Sequence, residues 1–163
     1  MDKKAQLGQI AFVLITIVGI VLTIIMGKVI IDGVDDSLEA GNIHTNESRQ
    51  VFVDYDEQYP AFDFMIVFIL IGLTISLMIT SFFIPSHPVF LIINIIGIFF
   101  LVFLAATLSN VYAEVVSGNE VVATVMATGD FDRMEFIMTK LPYFACVIVL
   151  LATIVMYAKG RQQ

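Results

Sequence analysis

Residues 62–112 read FDFMIVFILIGLTISLMITSFFIPSHPVFLIINIIGIFFLVFLAATLSNVY, two long apolar runs parted by Pro85-Ser86-His87-Pro88. Apart from Asp63 near the start and His87 in the break, no Asp, Glu, Lys, Arg or His interrupts them. Each run is close to the roughly 20 residues with which a helix crosses about 30 Å of hydrocarbon. The two prolines cannot continue a helix, and so short a connection forces antiparallel neighbours. Phe62–Ile84 and Val89–Tyr112 therefore read as transmembrane helices forming a tight central hairpin.

Working outward, Ile10–Ile31 and Leu141–Ala158 are runs of the same kind, the second with Pro142 in its first turn, where the missing N–H has no partner to lose. The reading is an all-α integral membrane protein, a single four-helix transmembrane domain over residues 1–163, with loops 32–61 and 113–140 on one side. Composition agrees. Of 163 residues 59% are hydrophobic and 14% charged, and the mean hydropathy is +0.95. A soluble domain is about half apolar and about a quarter charged. The first run is too long for the apolar core of a signal peptide, and no small-x-small cleavage site follows it. Trp is absent and Phe counts 14, so an interfacial aromatic belt falls to Phe and Tyr, with Tyr59, Tyr112, Tyr143 and Tyr157 near the span ends.

Four spans put both termini on one side. There Lys3, Lys4, Lys159 and Arg161 face only Asp2, while Lys28, Arg49, Arg133 and Lys140 share the other side with fourteen acids. The retention of basic residues on the cytoplasmic side places the termini on the cytoplasmic or interior side. The opposite face is strongly acidic, which repels nucleic acid.

The first loop opens with Val34 and Leu38 at helical spacing after Ile30, so the first helix is expected to run two turns beyond the bilayer and stop at Gly41. Val51-Phe52-Val53-Asp54-Tyr55 reads as a short strand or interfacial segment, and Asn46-Glu47-Ser48 is a glycosylation sequon. Asp54, Asp56, Glu57 and Asp63 form the densest carboxylate cluster, but without the glycine and terminal glutamate of a calcium loop they read as a solvated face. Asp63 is explained by the positive end of a helix dipole. In the second loop Val121–Ala127 is too short to span and is expected to lie on the membrane or on a neighbouring helix. Asp130 reads as an N-cap, followed by Phe131, Met134, Ile137, Met138 and Leu141 on one helical stripe. That stripe suits a partner or the protein's own helices. With Asp54, Asp56 and Glu57, Phe131 and Met134 are the candidate partner-facing residues.

No ionisable residue lies mid-span, which argues against a pump or proton channel. Thr16, Gly19, Thr23 and Gly27 form a small-residue stripe, and Ser76, Thr80, Ala105, Ala106 and Ser109 resemble it; these and Asn94 are the expected helix-helix packing positions. No GxSxG, HExxH, P-loop or dinucleotide fingerprint occurs, Ser86-His87 lacks an orienting third group, and Cys146 and the two histidines form no metal-ligand pattern. The expectation is a protein without enzymatic activity, cofactor or metal.

Gln6-Leu7-Gly8-Gln9, Tyr59-Pro60, Pro-Ser-His-Pro-Val-Phe over 85–90, Ser109-Asn110-Val111-Tyr112, Leu141-Pro142 and Tyr157-Ala158-Lys159 follow one another in an order that resembles small four-span membrane proteins of tailless prokaryotic viruses with an internal lipid membrane. The resemblance spans the whole chain through short, turn-like motifs. It implies a structural virion-membrane role, with membrane lipids, capsid or other membrane proteins and further copies of the chain as partners, and it carries over no functional residue. Two other classes compete: an oligomeric pore or holin-like channel, and an accessory subunit of a cellular membrane complex. Only Lys159 and Arg161 are available for the basic tail that many holins carry.

Overall fold

The computed structural model describes residues 3–83 and 88–159, with side chains for residues 8, 10–83 and 95–158. Every element among them is helical: α1 Lys3–Ala40, α2 Asn46–Asp56, α3 Tyr59–Phe82, α4 Pro88–Ser117, α5 Glu120–Met126, α6 Asp132–Thr139 and α7 Leu141–Lys159. By length and composition α1, α3, α4 and α7 are apolar enough to cross a membrane.

α1 runs on past residue 31, as its Val34 and Leu38 spacing predicts, and ends at Ala40, directly before Gly41. Asn42 takes the left-handed conformation at φ 53°. The Ile43 amide donates to the Leu38 carbonyl and the Asn42 amide to the Glu39 carbonyl. That pair of bonds satisfies the last carbonyls of the helix, with Asn42 and not the glycine in the left-handed position. The Val51–Tyr55 segment is not a strand but part of α2. Thr45 caps α2 by accepting from the Ser48 amide, while the Ser48 hydroxyl accepts from the Thr45 amide. This reciprocal cap at Thr45-x-x-Ser48 outweighs the alternating β-branched pattern that reads as a strand. Thr45→Ala is expected to cost about 1 kcal/mol of local α2 stability, seen as faster amide exchange over 46–50 with the rest of the chain unchanged.

The four long helices pack in the ring order α1, α3, α7, α4. α4 with α7 is the most extensive pair, and both bring alanines to the buried face, Ala105 on α4 and Ala145 and Ala152 on α7. Small side chains let helix backbones approach closely. The expected hairpin neighbours α3 and α4 are not among the closely packed pairs of described residues, since each packs instead on α1 and α7. The turn at 84–87 lies outside the described residues, as does the side chain of Asn94.

The core stripe of α1 is Ile10, Leu14, Ile17, Val21 and Ile25, at spacings of four, three, four and four. Outward faces are apolar too: Phe99 is 75% and Phe103 72% exposed, and Phe12, Phe68 and Ile154 are similarly bare. Apolar surface of this extent marks contact with a membrane or with other proteins. The expected tyrosine belt holds only in part, because Tyr59 and Tyr112 are buried while Tyr143 is exposed.

Candidate functional site

At the end of the bundle away from the termini, both connecting segments fold onto the helices and onto each other. Lys28 is the centre of this arrangement. It lies three residues beyond Ile25, so the helical repeat that buries the α1 core carries it inward, and it is 3% exposed. Its ammonium meets Asp56 at the end of α2 at 2.6 Å, Asp130 in the α5–α6 turn at 3.6 Å and Asp32 one turn further along α1 at 3.7 Å. It also lies 4.6 Å from the centre of the Tyr59 ring, a favourable seat for a cation over an aromatic face. One buried charge thus joins α1, the end of α2, the start of α3 and the second loop. A buried lysine without such partners would cost several kcal/mol, which is why the carboxylates converge there.

Asp63 holds the second junction and is 1% exposed. Its carboxylate accepts from the Met134 amide at 2.7 Å, the Arg133 amide at 3.2 Å and Arg133 Nη1 at 3.1 Å. The sequence places Asp63 at a helix dipole's positive end, and so it is, but the helix is α6, seventy residues on, rather than its own. The first amides of α6 have no intrahelical acceptor, and its N-cap residue, Phe131, offers no side-chain cap. The expected N-cap Asp130 is one residue too early and turns instead to Lys28 and to the Thr128 hydroxyl. The Arg133 guanidinium lies over Phe64 at 5.3 Å.

A third contact fastens α2. His44 Nε2 lies 2.7 Å from an Asp35 carboxylate oxygen, and its Nδ1 lies 3.0 Å from the Ser48 hydroxyl. α2 has no buried residue, so polar contacts at its two ends, His44 with Asp35 and Asp56 with Lys28, fasten it rather than a core.

Of the expected partner-facing residues, Asp54, Asp56 and Glu57 lie on the surface, with Asp56 also holding Lys28. Phe131 and Met134 do not face outward. Both are fully buried, because the amphipathic stripe of α6 packs on the protein's own helices together with Ile137, Met138 and Leu141. α5 likewise buries Val122, Val125 and Met126 against α1 and α4. The acidic run does not assemble a cation site: among the described residues no group of three His, Cys, Asp or Glu side chains is placed to hold a metal.

The small-residue stripe of α1 makes no close contact within the bundle. Thr16, Gly19 and Thr23 are exposed and Gly27 half-buried, with no atom near enough to meet a Cβ added at either glycine. The larger Ile, Leu and Val side chains occupy the inner face. The threonine hydroxyls donate to carbonyls of their own helix, Thr16 to Phe12 and Thr23 to Gly19, so they need no partner across an interface. On α3 Ser76 is exposed and Thr80 half-buried. On α4 Ala105 is buried and the Ser109 hydroxyl donates to the Thr139 carbonyl at 3.5 Å.

Sequence reasoning passed over Lys28 because it sits near a span end and counts there as one more loop charge. The available signal was its register, in phase with Ile10, Leu14, Ile17, Val21 and Ile25. The chain matches no protein-family model, no curated protein and no solved structure.

Proposed function

We propose that this chain is a non-enzymatic structural protein of a lipid membrane, best suited to the membrane beneath a viral capsid, where an acid-rich cap receives a partner protein with a basic surface. One observation carries the reading. Lys28 and Asp63 fasten both connecting segments to the bundle, so the acids around them project from a braced platform and not from loose loops. Asp36, Glu39, Glu47, Asp54, Glu57, Glu120, Asp132 and Glu135 are exposed on this end. Complementary charge steers encounter and selects partners, and a braced surface loses less entropy on binding than a flexible one. The viral setting rests on the ordered sequence resemblance alone.

The test is to purify the chain with its membrane from its native source and identify by mass spectrometry what accompanies it at fixed ratio. Capsid proteins in density-banded particles are the expected result. A stoichiometric enzyme or secretion complex without capsid protein would make the chain an accessory subunit instead.

The outward ridge of Thr16, Gly19, Thr23 and Gly27 supports a second reading, lateral self-association through α1, with an oligomeric pore as its extreme form. Small residues on a lipid-facing ridge permit close helix pairing. Gly19→Leu is expected to leave the unfolding of the single chain unchanged, since nothing stands within 4 Å of the added Cβ. It should also abolish cross-linked oligomers in reconstituted vesicles; oligomers that persist would remove α1 as the contact.

A further inference from the structure

Among the described residues, three of the four cations at the acidic end are held by carboxylates: Lys28 by Asp32, Asp56 and Asp130, Arg133 by Asp63, and Arg49 by Glu39 at 3.7 Å. Lys140 is the exception and forms no ion pair there. It sits at the junction of α6 and α7, directly before Leu141, where the membrane-crossing length of α7 begins. Beside it opens a groove of about 410 Å³ lined by Phe136, Lys140, Tyr143, Phe144 and Val147. Its walls are almost wholly apolar, and Lys140 lends them its stem. Phe136 and Phe144 meet edge to face with centroids 6.0 Å apart, and the exposed Tyr143 ring stands on the rim.

The groove has the dimensions of a small-molecule site, for which a few hundred cubic ångströms is typical. An apolar wall that ends beside an unpaired lysine suits an amphiphile. Val147 lies seven residues beyond Lys140, roughly 10 Å along the helix axis, so a molecule with its anion on the ammonium would lay alkyl chain along Tyr143, Phe144 and Val147. A lysine stem that reaches from apolar surface to the interface is suited to hold a phosphate as a point charge. The acids elsewhere on this end repel anions, which leaves Lys140 as the place where one is admitted.

We propose that this groove binds one anionic phospholipid per chain, its phosphate on Lys140 and an acyl chain against Tyr143, Phe144 and Val147. The inference rests on α7 crossing the bilayer with Leu141 at its boundary. The full chain is titrated in detergent with phosphatidylglycerol or phosphatidylcholine, and bound lipid is counted by native mass spectrometry. One phosphatidylglycerol is expected in preference to phosphatidylcholine. Lys140→Gln should lose about fivefold in affinity, the weight of one basic residue against an anionic lipid, and Lys140→Arg should recover most of it. Val147→Trp, which fills the groove and keeps the charge, should weaken phosphatidylglycerol equally. Equal binding of both lipids, or an unchanged Lys140→Gln, overturns the site. Carbonate extraction of vesicles separates the two failures: a chain that stays in the bilayer but shows no lipid preference refutes the groove alone, whereas one washed off refutes the groove and the membrane reading together.

Discussion

Replacing Asp56 and Asp130 together with alanine is expected to destabilise the folded chain by about 3–5 kcal/mol, the usual consequence of leaving a buried charge without its partners. Lys28, 3% exposed in the intact chain, would keep only Asp32, 3.7 Å away. The reverse change should behave differently. Lys28→Met removes the buried charge and fills its place with apolar volume, and the side chains of Asp32, Asp56 and Asp130, from 29% to 62% exposed, can hydrate. Replacing a buried ion by a hydrophobe is often neutral or better, so the bundle should lose less than about 1 kcal/mol. The cap should loosen all the same, because α2 has no buried residue to hold it. Unfolding in mixed micelles of rising denaturing-detergent fraction measures the first effect, and amide exchange over 46–56 the second. A lysine variant as unstable as the double aspartate variant would show that Lys28 holds the fold by attraction and not merely under compensation.

Asp63→Ala should follow closely, at about 3 kcal/mol, because it strips acceptors from two backbone amides and a guanidinium at once, and an unsatisfied buried donor costs about 1–3 kcal/mol. The Met134 and Arg133 amides have no second acceptor one turn back, being at the start of α6. Arg133→Ala should cost about 1 kcal/mol, since its side chain is 55% exposed and the buried Asp63 carboxylate keeps both backbone amide donors. The inequality is the test. If the arginine variant matches the aspartate variant, the ion pair holds α6; if it is several times milder, the cap does. Protection of the Met134 amide should fall in the aspartate variant and survive in the arginine one.

These two junctions mark where reading the chain in order stops being informative. Run length and apolarity foretell four membrane-length helices, because in hydrocarbon a helix must satisfy its own backbone and little else is permitted. The extension of α1 and the α6 stripe were legible from periodicity. α2 was not, because Val51-Phe52-Val53 alternates like a strand while its reciprocal cap lies upstream at Thr45 and Ser48. Nor was the direction of the α1 ridge, because small residues on a helix suit close packing but do not say against what.

By itself, then, the order of residues determined the all-helical class, four helices of membrane-crossing length and the gathering of acids at one end, all consequences of local hydropathy and chain connectivity. Tertiary structure decided that α3 and α4 part to pack on α1 and α7, that Phe131 and Met134 turn inward, and that Lys28 and Asp63 bind the two connecting segments into one cap. The reason is physical. A buried charge or an uncapped amide must find its partner in space, and here those partners lie 28, 70, 71 and 102 residues away.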